Sequence, residues 1–244
     1  MVQSIDRAMR IISILVSEDG KPDWSISELS DAASLPLSTL HRILTTLISH
    51  GLVSQDPVTK HYRVGYTWME IGLRQLDKID VRHAARPVME RLAHELEESI
   101  YLNIPKNIDG IPIEKVESPL KIRVSENLGD PIPLTIGAPN KTILANLSER
   151  ERQRIIGQLI PVEQQKMFLQ QLDDIRRNGY AVSFGERTEG TAAVGAPIIG
   201  HNQKVVAALS INAISFRVTE ARLPMLIEKV KEAAEEISMK IGKT

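Results

Sequence analysis

Residues 25–51 read SISELSDAASLPLSTLHRILTTLISHG, and the order of signals within them decides the fold of the N-terminal part. Ser25 and Glu28 stand three apart, the spacing of a capping box, and open a short helix carrying Leu29 and Ala32. Pro36 fits the first turn of a further helix, where no N–H donor is needed. That helix carries Leu37, Leu40, Leu44 and Leu47 on one side and stops at His50-Gly51, with glycine as the breaker. Upstream, Ile5, Met9, Ile12 and Val16 recur at helical spacing behind Ser4 as N-cap. Downstream, Leu52–Gln55 and His61–Val64 read as short strands about a turn at Asp56-Pro57. Three helices and a hairpin in this order form a winged helix-turn-helix.

The third helix has a distinctive outer face. At about 100° per residue, Ser38, His41, Arg42, Thr45 and Ser49 fall within roughly 100° of one another, opposite the leucines. A face of small and hydrogen-bonding side chains with one arginine fits the DNA major groove, where arginine pairs with guanine through two hydrogen bonds. The plain alternative is a solvated helix face, but such faces are rich in Lys and Glu, and this one has neither. Lys60, His61 and Arg63 on the hairpin would meet the phosphate backbone, which positions a protein without specifying sequence. The alternative there is an ordinary polar turn.

Beyond Gly65 the pattern turns helical over Thr67–Lys78 and Val81–Glu98, the latter with Val81, Ala85, Val88, Leu92 and Leu96 in one stripe. The domain boundary is placed near Lys78–Asp80, which gives a winged helix over 1–65, a semi-rigid helical linker over 66–80 and a second domain over 81–244. Strands are expected at Ile100–Ile104, Ile111–Glu117, Lys121–Glu126, Tyr180–Gly185, Ala192–Ile199 and Val205–Ile214. Helices are expected after Pro139, from Ser148 (a second capping box, with Glu151), from Val162 to Asn178-Gly179, and from Thr219 to Ile241. Two groups of strands with helices between them make this an α+β domain with a largely antiparallel sheet.

Alternation sets Ala208, Ser210 and Asn212 on one face of the last strand, Ser183 with Ala181, and Ala193 with Gly195. Three small-residue faces leave room for a ligand above the sheet, or let a helix pack closely. The turn Gly137-Ala138-Pro139-Asn140 opens a helix whose free N–H groups favour an anion.

Composition sets limits on function. The chain has 244 residues, 42% hydrophobic and 25% charged, ordinary values for a globular protein of one or two domains. There is no cysteine, no apolar run of about 18 residues and no signal peptide, so a cytoplasmic protein without membrane contact is expected. No H-E-x-x-H, P-loop or G-x-G-x-x-G motif occurs, and Ala181–Gly185 lacks the first glycine of a nucleophile elbow. No catalytic residue, metal site or cofactor is expected. With 30 basic against 31 acidic residues the chain is near neutral. From Ala32 to Tyr66, however, Arg42, Lys60 and Arg63 face only Asp56, a net of +2. This balance implies a small, placed DNA footprint rather than indiscriminate binding.

The stretches SIDRAMRIISIL and ISELSDAASLPLSTLHRILTTLISHGLVSQDPVTKHYRVG resemble the N-terminal domain of IclR-type bacterial transcription regulators. The resemblance is sharpest in Ser-Thr-Leu-His-Arg-Ile-Leu, which adds Thr39 to the DNA-facing set, and in Tyr62-Arg63-Val64-Gly65. Many members carry lysine where this chain has Leu37. It continues through residues 133–145 and the last three strands. It implies a GAF-like α+β effector-binding and oligomerisation domain, with effector contacts on Gly137, Ala138, Pro139, Asn140, Ser183, Ala193, Ser210 and Asn212. Pro139 has no N–H to donate, and some relatives carry more polar or reactive groups at Ser183 and Ala193. The expected function is a repressor that binds palindromic double-stranded operator DNA as a homodimer or homotetramer. A small metabolite, a carboxylate or sugar acid, would control it. The alternative is a ligand-binding protein whose winged helix mediates protein contacts.

Overall fold

The structure, a computed structural model, describes residues 2–17, 21–76 and 79–242. It divides into two compact units, Met1–Lys78 and Ile79–Thr244. The helix end and boundary expected at Lys78 lie outside the described residues.

The first unit holds α1 (Gln3–Leu15), α2 (Ile26–Ala33), α3 (Leu37–Ser49), β1 (Val53–Gln55), β2 (Tyr62–Val64) and α4 (Thr67–Leu76). The box at α2 closes in both directions: the Glu28 N–H donates to Ser25 Oγ at 3.3 Å, and the Ser25 N–H donates to Glu28 Oε2 at 3.0 Å. Leu29, Leu40, Leu44 and Ile11 meet at the centre of the unit, essentially inaccessible to solvent. Two expectations shift here. The inward alanine of α2 is Ala33, one turn after Leu29, and Ala32 is exposed. On α1 the buried residues are Ile11, Ile12 and Leu15, whereas Ile5, Met9 and Val16 face solvent and the N-cap is Val2. The helix is apolar on two sides, so period alone could not say which side meets the core. The Trp68 indole N–H donates to the Leu52 carbonyl at 3.0 Å, which docks the start of α4 on this unit.

The second unit holds α5 (Asp80–Leu96), β3 (Ser99–Lys106), β4 (Asp109–Val116), β5 (Ile132–Pro133), α6 (Ala138–Asn146), α7 (Glu149–Leu159), α8 (Val162–Asn178), β6 (Ala181–Phe184), β7 (Thr191–Ile199), β8 (Val205–Ile214) and α9 (Leu223–Lys240). Its six strands form one antiparallel sheet in the order β5-β4-β3-β8-β7-β6. Ala181, Ala193 and Ala208 point to the face packed by α6, α7 and α8. The alternate residues Val194, Ala196, Leu209 and Ile211 are also buried, on the side where α5 and α9 meet the strands. The expected strand at Lys121–Glu126 is not formed. Ile122 and Val124 alternate as strand residues do, but no neighbouring strand pairs with them, and Ile122 is 76% exposed. The edge is made by Ile132–Pro133 instead. At Ser148 only half of the expected box forms, with Ser148 Oγ accepting from the Glu151 N–H. Among the described residues, no helix is long and apolar enough to cross a membrane.

Candidate functional site

In the first unit, α3 presents Ser38, His41, Arg42 and Thr45 to solvent, while Leu40, Leu44 and Leu47 anchor the opposite side. Arg42 is in no ion pair among the described residues, and no acid lies on this helix. A guanidinium held out on a rigid helix, free of an internal counter-charge, is available to an external acceptor. Thr45 Oγ1 donates to the His41 carbonyl at 2.8 Å, so its proton is committed to the helix and its lone pairs remain to accept. Thr39 is half-buried, and with Arg42 it borders a groove against α1 walled by Ile5 and Met9.

The wing is braced from within. Asp56 Oδ1 accepts from the N–H groups of Thr59 (2.8 Å) and Val58 (2.9 Å), and these donors hold its carboxyl below the ordinary carboxylate range. Lys60 sits in the left-handed region at φ 60° and is exposed, as is Arg63. His61 is drawn inward: its Nδ1 lies 3.1 Å from Asp23 Oδ1, tying the wing to the segment before α2. Trp24 and Tyr62 exchange backbone hydrogen bonds at 2.9 and 2.7 Å and extend that tie. Asp23, 38 residues from His61 in sequence, carried no local signal of this role.

In the second unit, the expected ligand residues converge under α6. Asn212 pairs in register with Ala193, and Ala193 with Ser183, forming one row across β8, β7 and β6; Ser210, Gly195 and Ala181 form the next. A Cβ on Gly195 would lie 2.8 Å from Pro139 N and 2.9 Å from the Ala138 carbonyl carbon, so glycine lets the start of α6 rest on the sheet. Gly110 likewise makes room for the Asn140 side chain. The small residues therefore serve close helix packing, and what remains beside α6 is a cavity of about 40 Å³. Gly137, Pro139, Asn140, Ser183, Ala193 and Asn212 line it; Ala138 and Ser210 do not.

The helix start is already supplied with acceptors. The Ala138 N–H donates to Ser183 Oγ at 3.0 Å, and the Gly137 N–H to Glu186 Oε2 at 2.9 Å. Lys141, buried on the same helix, donates to Glu186 Oε1 at 2.5 Å. Beside them Arg187 pairs with Glu126 at 2.9 Å, and burial nevertheless pushes the Glu126 carboxyl above its ordinary value. Asn103 Oδ1, Ser210 Oγ and Asn212 Oδ1 are buried without a hydrogen-bond partner among the described residues, a costly state that invites a donor. Asn103, Lys141 and Glu186 carry no local sequence signal of this place, because each is brought to it by a contact with a distant segment. No cluster of three or more potential metal ligands occurs among the described residues.

Known proteins match along nearly the whole chain. A family profile described as IclR helix-turn-helix domain matches residues 4–57, and one described as bacterial transcriptional regulator IclR C-terminal matches residues 73–239. The chain is 35% identical to the HTH-type transcriptional regulator KipR of Bacillus subtilis, covering 99% of this chain and 98% of that one. It is 30% identical to the HTH-type transcriptional repressor AllR of Escherichia coli, covering 98% and 90%. The crystal structure of the Thermotoga maritima IclR superposes with a TM-score of 0.79 at 28% identity, covering 99% and 100%.

Proposed function

The chain belongs to the IclR family of bacterial transcription regulators, which are not enzymes, and from that premise we propose a metabolite-controlled repressor that acts in the cytoplasm as a homodimer or homotetramer. The observation that carries DNA reading is the outer face of α3. It is free of acids, with Arg42 exposed at its centre and in no ion pair among the described residues, and with Lys60 and Arg63 on a braced wing beside it. Arg42 reads a base edge, and Lys60 and Arg63 hold phosphates. His61, held by Asp23, shapes the wing. The likeness to a relative named as a repressor supports repression as the direction of control.

The effector is a small hydroxylated carboxylate or sugar acid bound at the start of α6. The buried, unpaired oxygens of Asn103 and Asn212 on the cavity wall support this reading, since they lack donors that a ligand's hydroxyls supply. Control is a population shift: the ligand acts only by binding one arrangement of the reading heads more tightly than another.

The test is fluorescence anisotropy with fragments of the gene's own upstream duplex over a salt series. Specific binding weakens steeply with salt, with the log of affinity falling linearly in log salt. A flat salt response, or no duplex binding, refutes DNA reading and leaves protein contacts as the role of the winged helix.

A further inference from the structure

The chain's own carboxylate lines the cavity beside α6. Glu186 lies in the turn between β6 and β7, which is bracketed by Gly185 and Gly190 with φ of 62° and 77°. Its two oxygens take the Gly137 N–H and the Lys141 ammonium. The Lys141 side chain is only 7% exposed, and Glu186 is its only ion-pair partner among the described residues. A helix N-terminus and a buried ammonium converge on one point, where an anion is favoured, and a tethered side chain occupies it.

Behind that point the unmet groups are acceptors. Asn140 Nδ2 donates to the carbonyls of Ile132 (3.1 Å) and Pro133 (3.3 Å), which fixes its amide and turns Oδ1 towards Asn103 Nδ2 at 3.2 Å. The orphaned atom of Asn103 is therefore its oxygen, and it needs a donor. Asn212 Oδ1 is orphaned on the same cavity wall. At about 40 Å³ the space holds roughly one to three waters, so a ligand of several heavy atoms enters only when part of the lining moves.

We propose that Glu186 is a tethered stand-in for the ligand's carboxylate, and that the Gly185–Gly190 turn is a gate opened by a hydroxy acid. The acid takes Glu186's place on Gly137 N–H and Lys141, and its hydroxyls donate to Asn103 Oδ1 and Asn212 Oδ1. One carboxylate replaces another, so no proton moves and Lys141 stays paired. A neutral polyol cannot make the exchange, because it strands a buried ammonium. The inference rests on the effector-pocket reading above and adds the gate and the two-ended chemistry of the ligand.

The test uses the full chain with D-glycerate, D-gluconate and galactarate as probes, and with acetate and xylitol as one-ended controls, by titration calorimetry. Glu186→Gln weakens the internal bond, and Glu186→Asp keeps the charge beside Lys141 while shortening the reach to Gly137, which guards against misfolding. Were the gate shut about nine-tenths of the time, apparent affinity would be about tenfold weaker than for an open gate. At least one hydroxy acid is therefore expected to bind both variants about tenfold more tightly than the wild type, to lose binding in Lys141→Met, and to bind more tightly than either control. Equal or weaker binding in both variants overturns the gate, and xylitol binding as well as the acids overturns the anion exchange. No hydroxy acid bound even by Glu186→Gln overturns the ligand class. If the acids bind but Ser183→Ala and Asn212→Ala change nothing, the pocket reading itself fails, together with the gate that rests on it.

Discussion

Gly195→Ala tests whether the site rests on a helix seated directly on the sheet. The added methyl would lie 2.8 Å from Pro139 N and 2.9 Å from both Ala138 C and Pro139 Cα, where ordinary contact begins at 3.4 Å. All three neighbours are backbone, so the start of α6 must rise by about half an ångström or more, in keeping with the usual cost of overpacking, about 1–3 kcal/mol. The rise also stretches the 2.9 Å bond from Gly137 to Glu186 and the 3.0 Å bond from Ala138 to Ser183. At about 2–4 °C per kcal/mol for a chain of this size, the calorimetric melting temperature should fall by about 2–12 °C. Gly157→Ala is the matched contrast. It lies in α7 with nothing within 4 Å of its added methyl, and alanine there should stabilise by about 0.5–1 kcal/mol through helix propensity. Trp24 and Trp68 both lie in the first unit, so their fluorescence at 25 °C checks that it stays folded in each variant. Gly195→Ala melting at or above the wild type would refute the seating of α6 on Gly195.

Four further variants have expected outcomes. Arg42→Ala should weaken operator binding by about 1–3 kcal/mol and relax preference at one base position, whereas Lys60→Ala should weaken all duplexes alike and lower the salt slope by about one; anisotropy over a salt series separates them. Ser25→Ala removes the acceptor for the Glu28 N–H and should cost about 1 kcal/mol, read as a lower urea midpoint of tryptophan fluorescence. Glu117 is held down from 4.5 to about 2 by hydrogen bonds from Lys115, Arg123 and Ser125. A carboxyl depressed in the folded state contributes stability above its unfolded value and loses it as pH falls. Its share should be complete above about pH 5 and fade towards pH 2, and Glu117→Gln should flatten that limb of an acid melt series.

The elements that were legible in sequence are those whose causes are local. Ser25 and Glu28 are three residues apart and close their box as spaced, and the stops at His50-Gly51 and Asn178-Gly179 fall where expected. The long stripe Val81, Ala85, Val88, Leu92 and Leu96 of α5 was readable because the helix buries that one face. Misreadings arose where the deciding partner was distant. Of the expected stripe Ile5, Met9, Ile12 and Val16 only Ile12 meets the core, beside Ile11 and Leu15, and the other three face solvent despite their helical spacing. Lys121–Glu126 has strand-like alternation but no strand to pair with. Helix α6 buries every residue from Ala138 to Ala145, so it carries no amphipathic period to read.

The same division holds for the sites. The sequence by itself determined the third helix, its outer face and the hairpin, because the face of α3 follows from helical geometry and Arg42 needs no partner to be placed on it. It also determined which strand residues share a face, since alternation has a period of two. Only the tertiary structure decided what stands above that face. Glu186 and Lys141 are 45 residues apart, as are Ala138 and Ser183, and Asn103 and Asn140 are 37 apart. The orphaned oxygens and the tethered carboxylate exist only once the sheet order and the seating of α6 on Gly195 bring these segments together, and contacts across such separations leave no periodic trace in the chain.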